Sequence, residues 1–166
     1  MKLYAAYGSN INLEQMAHRC PDAVVVGKGY LHNYELAFQG THGNGVATVK
    51  PKRGRRVPIL LWSISEKDEQ ALDIYEGWPR LYRKETQTFA VTEWLVNQTV
   101  ESHDPGQLVE AMIYVMNIGT PCPPGKSYYQ CILSGYCEIG FHSRYLDIAA
   151  RSATDAAVQA EKKLVY

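Results

Sequence analysis

Hydrophobic residues occur along this chain in short stretches that are separated by glycine, proline and polar turns. Residues 2–7 form an apolar run that predicts a buried strand, and residues 23–39 are rich in the β-branched and aromatic residues that favour strands. Gly27 and Gly29 predict a bend or bulge within the second strand. THGNG at 41–45 is a hairpin-turn signal before the strand VATV, and the nearly continuous apolar segment VPILLWSIS predicts a central strand.

Helices are predicted where polar caps precede an apolar pattern that repeats about every four residues. Asn12, with Gln15 three residues later, predicts a capping box and a short helix. Ser65 and Asp68 begin a second helix of about twelve residues, which ends at Gly77. Two further helical stretches are predicted near the carboxyl end of the chain, SYYQCILSGYCEIG and residues 142–163.

The order of these elements predicts the fold class. Two more strands are predicted, at residues 81–98 and at LVEAMIYVM, with a loop at 101–107 between them. One strand, a short helix, several antiparallel strands around one helix and then helices are typical of an α+β protein whose sheet curls into a barrel. A chain of 166 residues fits one domain, with a helical extension from about residue 142.

The charge balance gives no sign of a polyanionic partner. Lys and Arg number 17 and Asp and Glu number 17, so no long-range field attracts nucleic acid or an anionic membrane. The basic cluster KPKRGRR at residues 50–56 is interpreted as a solvated hairpin tip, because no aromatic platform for bases adjoins it. We therefore expect neither nucleic acid nor a membrane as a partner.

The amino terminus and the cysteines predict a cytoplasmic protein. The chain begins directly with a strand, without the charged region and long apolar segment of a secretory signal. No apolar run approaches the ~20 residues that span a bilayer. The four cysteines form no CxxC pair, which favours reduced thiols. The five histidines show no paired ligand spacing, so no metal is expected.

The segment YGSN, Tyr7–Asn10, lies between the first strand and the first helix. Gly8 permits a sharp turn and the close approach of a ligand. Unpaired N–H groups at a helix start favour negative charge, which would suit a carboxylate or a developing oxyanion. A plain strand–turn–helix connection explains the same residues, and Ser9 has no partner base in the sequence that would make it a nucleophile.

Glu76 is the second candidate, because it is the last residue of its predicted helix, before Gly77. The negative end of the helix dipole, together with burial beside Tyr75, Trp78 and Tyr82, would raise the pKa of its carboxyl. A general base at neutral pH needs a shift in that direction. The alternative is an exposed glutamate at a fraying helix end, with the three aromatic residues in the core.

Four segments spread along the chain form one combination: YAAYGSN, HGNGVATV, IYEGWPRLYRKE and SYYQCILSGYCEIGF. Together they resemble the gamma-glutamylcyclotransferase-like family, whose corresponding motifs are Y-x-x-YGSN, G-G-[IV]-A-T, E-G-x-x-x-x-Y and Y-x-x-x-[IL]-x-x-G-x-x-x-x-G. The resemblance runs from residue 4 to about residue 141, and the combination is more specific than any one segment.

The resemblance implies a small, mostly antiparallel β-barrel flanked by helices. It also implies an enzyme without a cofactor that cyclises a small-molecule γ-glutamyl substrate to 5-oxoproline and releases an amine. The substrate's own α-amine is then the nucleophile, in agreement with the absence of a Ser–His or Cys–His pattern. The resemblance implies acid/base catalysis by Glu76 and substrate binding by Tyr7, Gly8, Ser9, Asn10, Tyr82 and Tyr128. Tyr129 is an adjacent competitor for the last position.

Two other functions remain open at this point. One is a non-catalytic binding protein for a carboxylate-bearing metabolite on the same scaffold, although a buried acid such as Glu76 would not favour an anionic ligand. The other is an amide hydrolase that uses the same glutamate. The glutathione-specific branch carries another residue where Asn10 stands, which disfavours glutathione itself. The leaving amine and the oligomeric state are not predicted.

Overall fold

A computed structural model of the chain describes residues 1–40, 44–95 and 106–164. These residues form six strands, four α-helices and one short 3-10 helix at Ser9–Ile11. The strands are β1 (Lys2–Ala6), β2 (Val24–Gly40), β3 (Val46–Ile64), β4 (Tyr82–Trp94), β5 (Gln107–Met116) and β6 (Thr120–Pro121). The helices are α1 (Leu13–Arg19), α2 (Glu66–Glu76), α3 (Lys126–Ile139) and α4 (Arg144–Leu164).

Five strands close into a barrel, as the sequence predicts. The order is β3-β1-β5-β4-β2, and β2 pairs again with β3 to complete the circle. All these neighbours are antiparallel except β1 and β5, which are parallel where Tyr4 pairs with Met112. The short β6 extends the sheet beyond β2. The mixed but mainly antiparallel barrel with flanking helices confirms the predicted fold class.

The glycines of β2 mark irregularities in the ladder, as predicted. The register of β2 against β3 shifts between Val25 and Gly27, and its register against β4 shifts between Lys28 and Gly29. A Cβ atom on Gly29 would lie 2.0 Å from the carbonyl oxygen of Ala90. Only glycine permits this close approach of β2 to β4, which bends the sheet into the barrel.

The basic cluster at residues 50–56 is not a hairpin tip, so that prediction is wrong. The β2–β3 ladder is paired on both sides of it, with Tyr34 opposite Pro51 and His32 opposite Arg56. Four residues of β3 therefore lie opposite the single residue Asn33. Residues 52–55 of the cluster form a bulge within a long strand, because the ladder resumes beyond them at Arg56. The connection between β2 and β3 lies between Gly40 and Val46.

The caps of the first two helices differ in completeness. Asn12 accepts a hydrogen bond from the Gln15 backbone N–H at 3.0 Å, but the Gln15 side chain accepts from Arg19 at 2.8 Å and does not return to the cap. The capping box predicted for α1 is thus only half formed. In α2 both halves of the box between Ser65 and Asp68 are present, which confirms that helix start.

Parts of three predictions lie outside the described residues. They are positions 41–43 of the predicted turn THGNG, the end of the predicted strand 81–98, and most of the predicted loop 101–107. Within the described part of the chain, no helix is long and apolar enough to cross a membrane.

Candidate active site

All seven residues that the resemblance singles out line one cavity of about 190 Å³. The cavity lies where β1 ends, between the last turn of α2, the start of β3 and the first turns of α3. Its lining includes Tyr7, Gly8, Ser9, Asn10, Glu76, Tyr82 and Tyr128. The barrel thus brings together residues that are more than one hundred positions apart in the sequence.

The YGSN loop passes closely against its neighbours at Gly8. A Cβ atom there would lie 3.1 Å from the Ala47 Cβ and 3.4 Å from the Tyr128 hydroxyl oxygen. The loop continues into the 3-10 helix, where no carbonyl of that helix accepts from the N–H groups of Ser9 and Asn10. Ser9 and Asn10 are nonetheless buried, at 6% and 3% exposure. The loop therefore carries backbone N–H groups that the short helix leaves unpaired, in two buried residues of the cavity wall.

Glu76 is the last residue of α2, as predicted, and its neighbour Gly77 ends the helix with a φ of 65°. Its Oε1 accepts a hydrogen bond from the Asn10 Nδ2 at 3.1 Å. Burial raises the pKa of the Glu76 carboxyl to about 7, against the opposing effects of the Arg19 charge and the Asn10 hydrogen bond. A carboxyl with this pKa exchanges its proton readily near neutral pH.

Arg19 holds the neighbours of Glu76 in place from the end of α1. Its guanidinium donates to Asn10 Oδ1 at 2.6 Å and lies 3.5 Å from the centre of the Tyr75 ring. The Tyr75 hydroxyl is 3.0 Å from the Ser9 Oγ. These contacts tie α1, the YGSN loop and the end of α2 together around the carboxylate.

Two tyrosines of the cavity wall, Tyr82 and Tyr128, form hydrogen bonds with the backbone of Ala47 in β3. Tyr82 donates from its hydroxyl to the Ala47 carbonyl at 2.7 Å, and the Tyr128 hydroxyl accepts from the Ala47 N–H at 3.1 Å. Tyr7 donates to the carbonyl of Tyr114 at 2.6 Å. Burial raises the pKa of all three phenols, so each remains a neutral hydrogen-bonding group.

Tyr128 and Tyr129 point to different surroundings. Tyr128 lines the cavity and packs edge-to-face on Phe38, with ring centres 6.4 Å apart. Tyr129 donates instead to the carboxylate of Asp147 in α4. Of the two adjacent tyrosines, it is Tyr128 that lies beside Glu76 and the YGSN loop in the cavity.

The surroundings of Glu76 differ from the sequence-based expectation in one residue. Trp78 was expected to help bury the carboxylate, but its side chain is 45% exposed and its ring lies under the Lys84 ammonium at 4.5 Å. It does not line the cavity. Gly77, in the αL conformation, ends α2 directly after Glu76.

Five residues of the cavity wall were not singled out by sequence: Tyr4, Val46, Ala47, Leu81 and Tyr114. Tyr75, which also lines the cavity, was named only as a neighbour of Glu76. All of them except Tyr114 lie inside the quoted segments, so those segments were the available signal. Arg19, which holds the wall from behind, carries no such signal. Its contacts with Asn10 and Tyr75 arise only when the short helix α1 folds back on the loop.

The described residues of the cavity wall form neither a cluster of metal ligands nor a serine–base pair. The described residues contain no group of three or more His, Cys, Asp or Glu side chains that could hold a metal ion. Ser9 Oγ meets a phenol and not a base. One carboxylate with a pKa near 7, backbone donors and a ring of neutral tyrosines are a suitable set for proton transfer on a small neutral or zwitterionic amide.

Comparison with known proteins adds an independent finding. The sequence profile described as "Gamma-glutamyl cyclotransferase, AIG2-like" matches residues 4–133. Curated proteins named gamma-glutamylcyclotransferase from Mus musculus and Homo sapiens are 27% and 26% identical over 150 residues, which are 86% of this chain and 74% of each relative. A solved structure titled "Gamma-glutamyl cyclotransferase" has a TM-score of 0.75 and 24% identity, and covers 89% of this chain and 85% of its own.

Proposed function

The chain belongs to the gamma-glutamyl cyclotransferase, AIG2-like family, and from that premise we propose that it converts a γ-glutamyl amine into 5-oxoproline and a free amine. The observation that carries the proposal is the position of Glu76. It lines the small cavity beside the YGSN loop, and burial raises its pKa to about 7. Both features suit an acid/base that works at neutral pH.

In the proposed reaction the substrate attacks itself. The α-amine nitrogen bonds to the γ-carbonyl carbon, and the bond from that carbon to the leaving nitrogen breaks. An α-ammonium with a pKa of about 8 must first lose a proton. Over the whole reaction the α-nitrogen loses two protons and the leaving nitrogen gains two. No net proton is therefore taken up or released. Glu76 accepts a proton from the first nitrogen and returns one to the second.

Positioning supplies the other part of the rate. A correctly bent γ-glutamyl chain can have an effective molarity of ~10⁵ M or more for its own amine. A cavity of about 190 Å³ is small enough to hold a glutamyl group in a folded shape. We assign the backbone N–H groups of Ser9 and Asn10 to the negative charge of the substrate or to the developing oxyanion, where such donors stabilise the transition state.

The decisive test replaces Glu76 with glutamine. The Glu76→Gln enzyme keeps the size and the hydrogen-bond acceptor of the side chain but cannot take a proton. We expect 5-oxoproline formation to fall by roughly 10²–10⁴-fold, with an unchanged circular dichroism spectrum. The assay follows 5-oxoproline release from a panel of γ-glutamyl amino acids and γ-glutamyl amines. Glu138→Gln, on an exposed part of α3, is the matched control.

The same assay separates the other functions. Turnover by Glu76→Gln at the parent rate would remove the glutamate from its proposed role. Free glutamate in place of 5-oxoproline would identify an amide hydrolase. Saturable binding of these compounds by calorimetry, without any product, would identify a binding protein.

A further inference from the structure

A second cavity lies between α4 and the paired strands β2 and β3, and we call it the α4 groove. Its volume is about 430 Å³, against about 190 Å³ for the candidate active site, and no residue lines both. This volume is in the range of small-molecule sites. One wall, α4, lies beyond residues 4–133 that the family profile matches. The groove therefore calls for an explanation separate from the cyclotransferase chemistry.

The α4 groove is strongly cationic. Its charged lining consists of Lys50, Arg55, Arg56 and Arg144, with one carboxylate, Glu35. Within the described chain, none of these four cations takes part in an ion pair. Arg56 is held in place by neutral partners, because it donates to the Tyr145 hydroxyl at 3.0 Å and lies 4.0 Å from the Tyr30 ring centre. Its positive charge is therefore fixed but not neutralised.

The bulge of β3, residues 52–55, holds Arg55, and Arg56 follows it where the ladder resumes. Asn33 has a φ of 61° and Gly54 a φ of 77°, and the Gly54 N–H donates to the Asn33 Oδ1 at 3.1 Å. The bulge is thus closed by a hydrogen bond across its middle. Arg55 and Arg56 line the groove, while Lys52 and Arg53, on the same bulge, do not.

The uncharged part of the groove is mainly apolar, with Gln39, Ser152 and Tyr145 as its polar side chains. The contact between Tyr145 and Arg56 places the start of α4 beside the bulge. At 1.5 Å per residue the helix extends about 18 Å from Arg144 to Ala156, and Ile148, Ala153 and Ala156 face the groove along it. The Ile148 side chain is 46% exposed. The groove therefore combines a cationic end with an apolar wall.

We propose that the α4 groove binds a small organic phosphate, that is, a molecule with a doubly charged phosphate group and an uncharged apolar body. Guanidinium groups bind phosphate oxygens in pairs of parallel hydrogen bonds. The three arginines of the groove can therefore balance both charges of a phosphate dianion. The apolar body would cover Ile148 and gain from its removal from water. Glu35 disfavours a second anionic group on that body.

The test is calorimetric titration of the full-length protein at low ionic strength with three probes. Hexyl phosphate carries both parts of the proposed ligand, inorganic phosphate carries only the head, and hexanol carries only the body. We expect one saturable site for hexyl phosphate with a dissociation constant at least tenfold lower than that of inorganic phosphate. Hexanol should show no saturable binding.

Matched variants locate the site. Arg55→Glu with Arg144→Glu should weaken hexyl phosphate binding at least 100-fold. Lys52→Glu with Arg53→Glu reverses the same number of charges just outside the groove, and its affinity should stay within about threefold of the parent. Ile148→Ser should remove the advantage of hexyl phosphate over inorganic phosphate. Circular dichroism and melting curves check that each variant is folded.

Three results would overturn the proposal. Equal losses in the two double variants would show a general attraction of anions to the basic bulge, and not a site. The absence of saturable hexyl phosphate binding would exclude the ligand class. Tight binding of a single-stranded oligonucleotide, without binding of hexyl phosphate, would identify a polynucleotide surface instead.

Discussion

The amide of Asn10 has a single possible orientation in the site. The Arg19 guanidinium can only donate, so the amide oxygen must face it, and the bond is 2.6 Å. The amide nitrogen must then face the Glu76 carboxylate and the Tyr4 hydroxyl, to which it donates at 3.1 and 2.9 Å. Arg19 thus aligns a donor on Glu76 although it does not line the cavity. Its positive charge also lowers the pKa of the carboxyl.

Replacement of Arg19 should therefore change the pH dependence of catalysis. In Arg19→Met the pKa of Glu76 rises because an opposing charge is lost, so less of the enzyme carries the basic carboxylate at neutral pH. We expect the acid limb of kcat/KM to move to higher pH, with about a threefold or larger loss at pH 7. Arg19→Lys keeps the charge and should leave the limb near its original position.

The substrate amine titrates identically with both enzymes, so the difference between their kcat/KM profiles reports on the protein. A uniform loss of rate at all pH values, without displacement of the limb, would assign Arg19 a purely structural role.

The same carboxyl links stability to pH. The pKa of Glu76 is about 7 in the folded protein, above its ordinary value of 4.5, so the folded state holds a proton that the unfolded state releases between these values. Stability therefore falls as the pH rises from about 4.5 to 7. Glu76→Gln removes this cost, and its melting temperature should exceed that of the parent at pH 8 by about 2–4 °C for each kcal/mol of that cost.

At pH 4.5 the two melting temperatures should coincide, because the parent carboxyl is then protonated in the folded state. Glu138→Gln is the control for the loss of an exposed carboxylate. An equal gain at both pH values would mean that the substitution acts through packing and not through ionisation.

At the scale of elements, α3 packs at Gly135 on the backbone of Ile11 and Asn12, which directly follow the YGSN loop. A Cβ atom there would lie 2.9 Å from the Asn12 backbone nitrogen and 2.9 Å from the Ile11 carbonyl carbon. Backbone atoms cannot yield as a flexible side chain can. Close packing therefore explains why the first glycine of the motif in this helix, Gly135, has no side chain. The second glycine, Gly140, ends the helix with a φ of 83°.

Gly135→Ala should push α3 away from the backbone of Ile11 and Asn12. We expect a loss of about 1–3 kcal/mol in the free energy of unfolding, measured by urea titration. Tyr128 lies seven residues earlier on the same helix, two turns away, so the rate of 5-oxoproline formation should fall as well. Ser134→Ala, on the exposed side of α3, should change stability by less than about 0.5 kcal/mol.

An unchanged unfolding free energy for Gly135→Ala would show that the helix shifts without cost. The close approach at Gly135 would then not be needed to keep α3 packed against Ile11 and Asn12.

The bulge of β3 marks the limit of what local sequence predicts about elements. Pro51 and Gly54 within a run of basic residues are typical of a turn, so the segment was predicted as a hairpin tip. In the barrel, residues on both sides of it keep their partners on β2. Register between distant strands, and not local propensity, decided the outcome. Helix caps were predicted better because their hydrogen bonds join residues three positions apart.

At the scale of the whole molecule, barrel closure creates the candidate site. The sequence predicted most strands, the helices and the mainly antiparallel topology, since alternation and caps are local signals. The resemblance singled out seven residues that line the cavity, and its quoted segments also contain the wall residues Tyr4, Val46, Ala47, Tyr75 and Leu81. Arg19, the outward turn of Trp78 and the α4 groove were missed because each depends on how separate elements pack. Sequence motifs identify the residues that line a site more readily than the residues, such as Arg19, that hold the lining in place.

The parallel pairing of β1 with β5 has a consequence for how this protein is made. Tyr4 meets Met112, so the strand that leads into the YGSN loop has no second neighbour until the chain is more than two-thirds synthesised. The long β2–β3 ribbon, whose partners are close in sequence, can form much earlier, whereas contacts between distant residues form slowly. A nascent chain would therefore form the β2–β3 ribbon before β5 completes the barrel and its cavity. A chain that ended after β4 would keep the ribbon but lack the completed site.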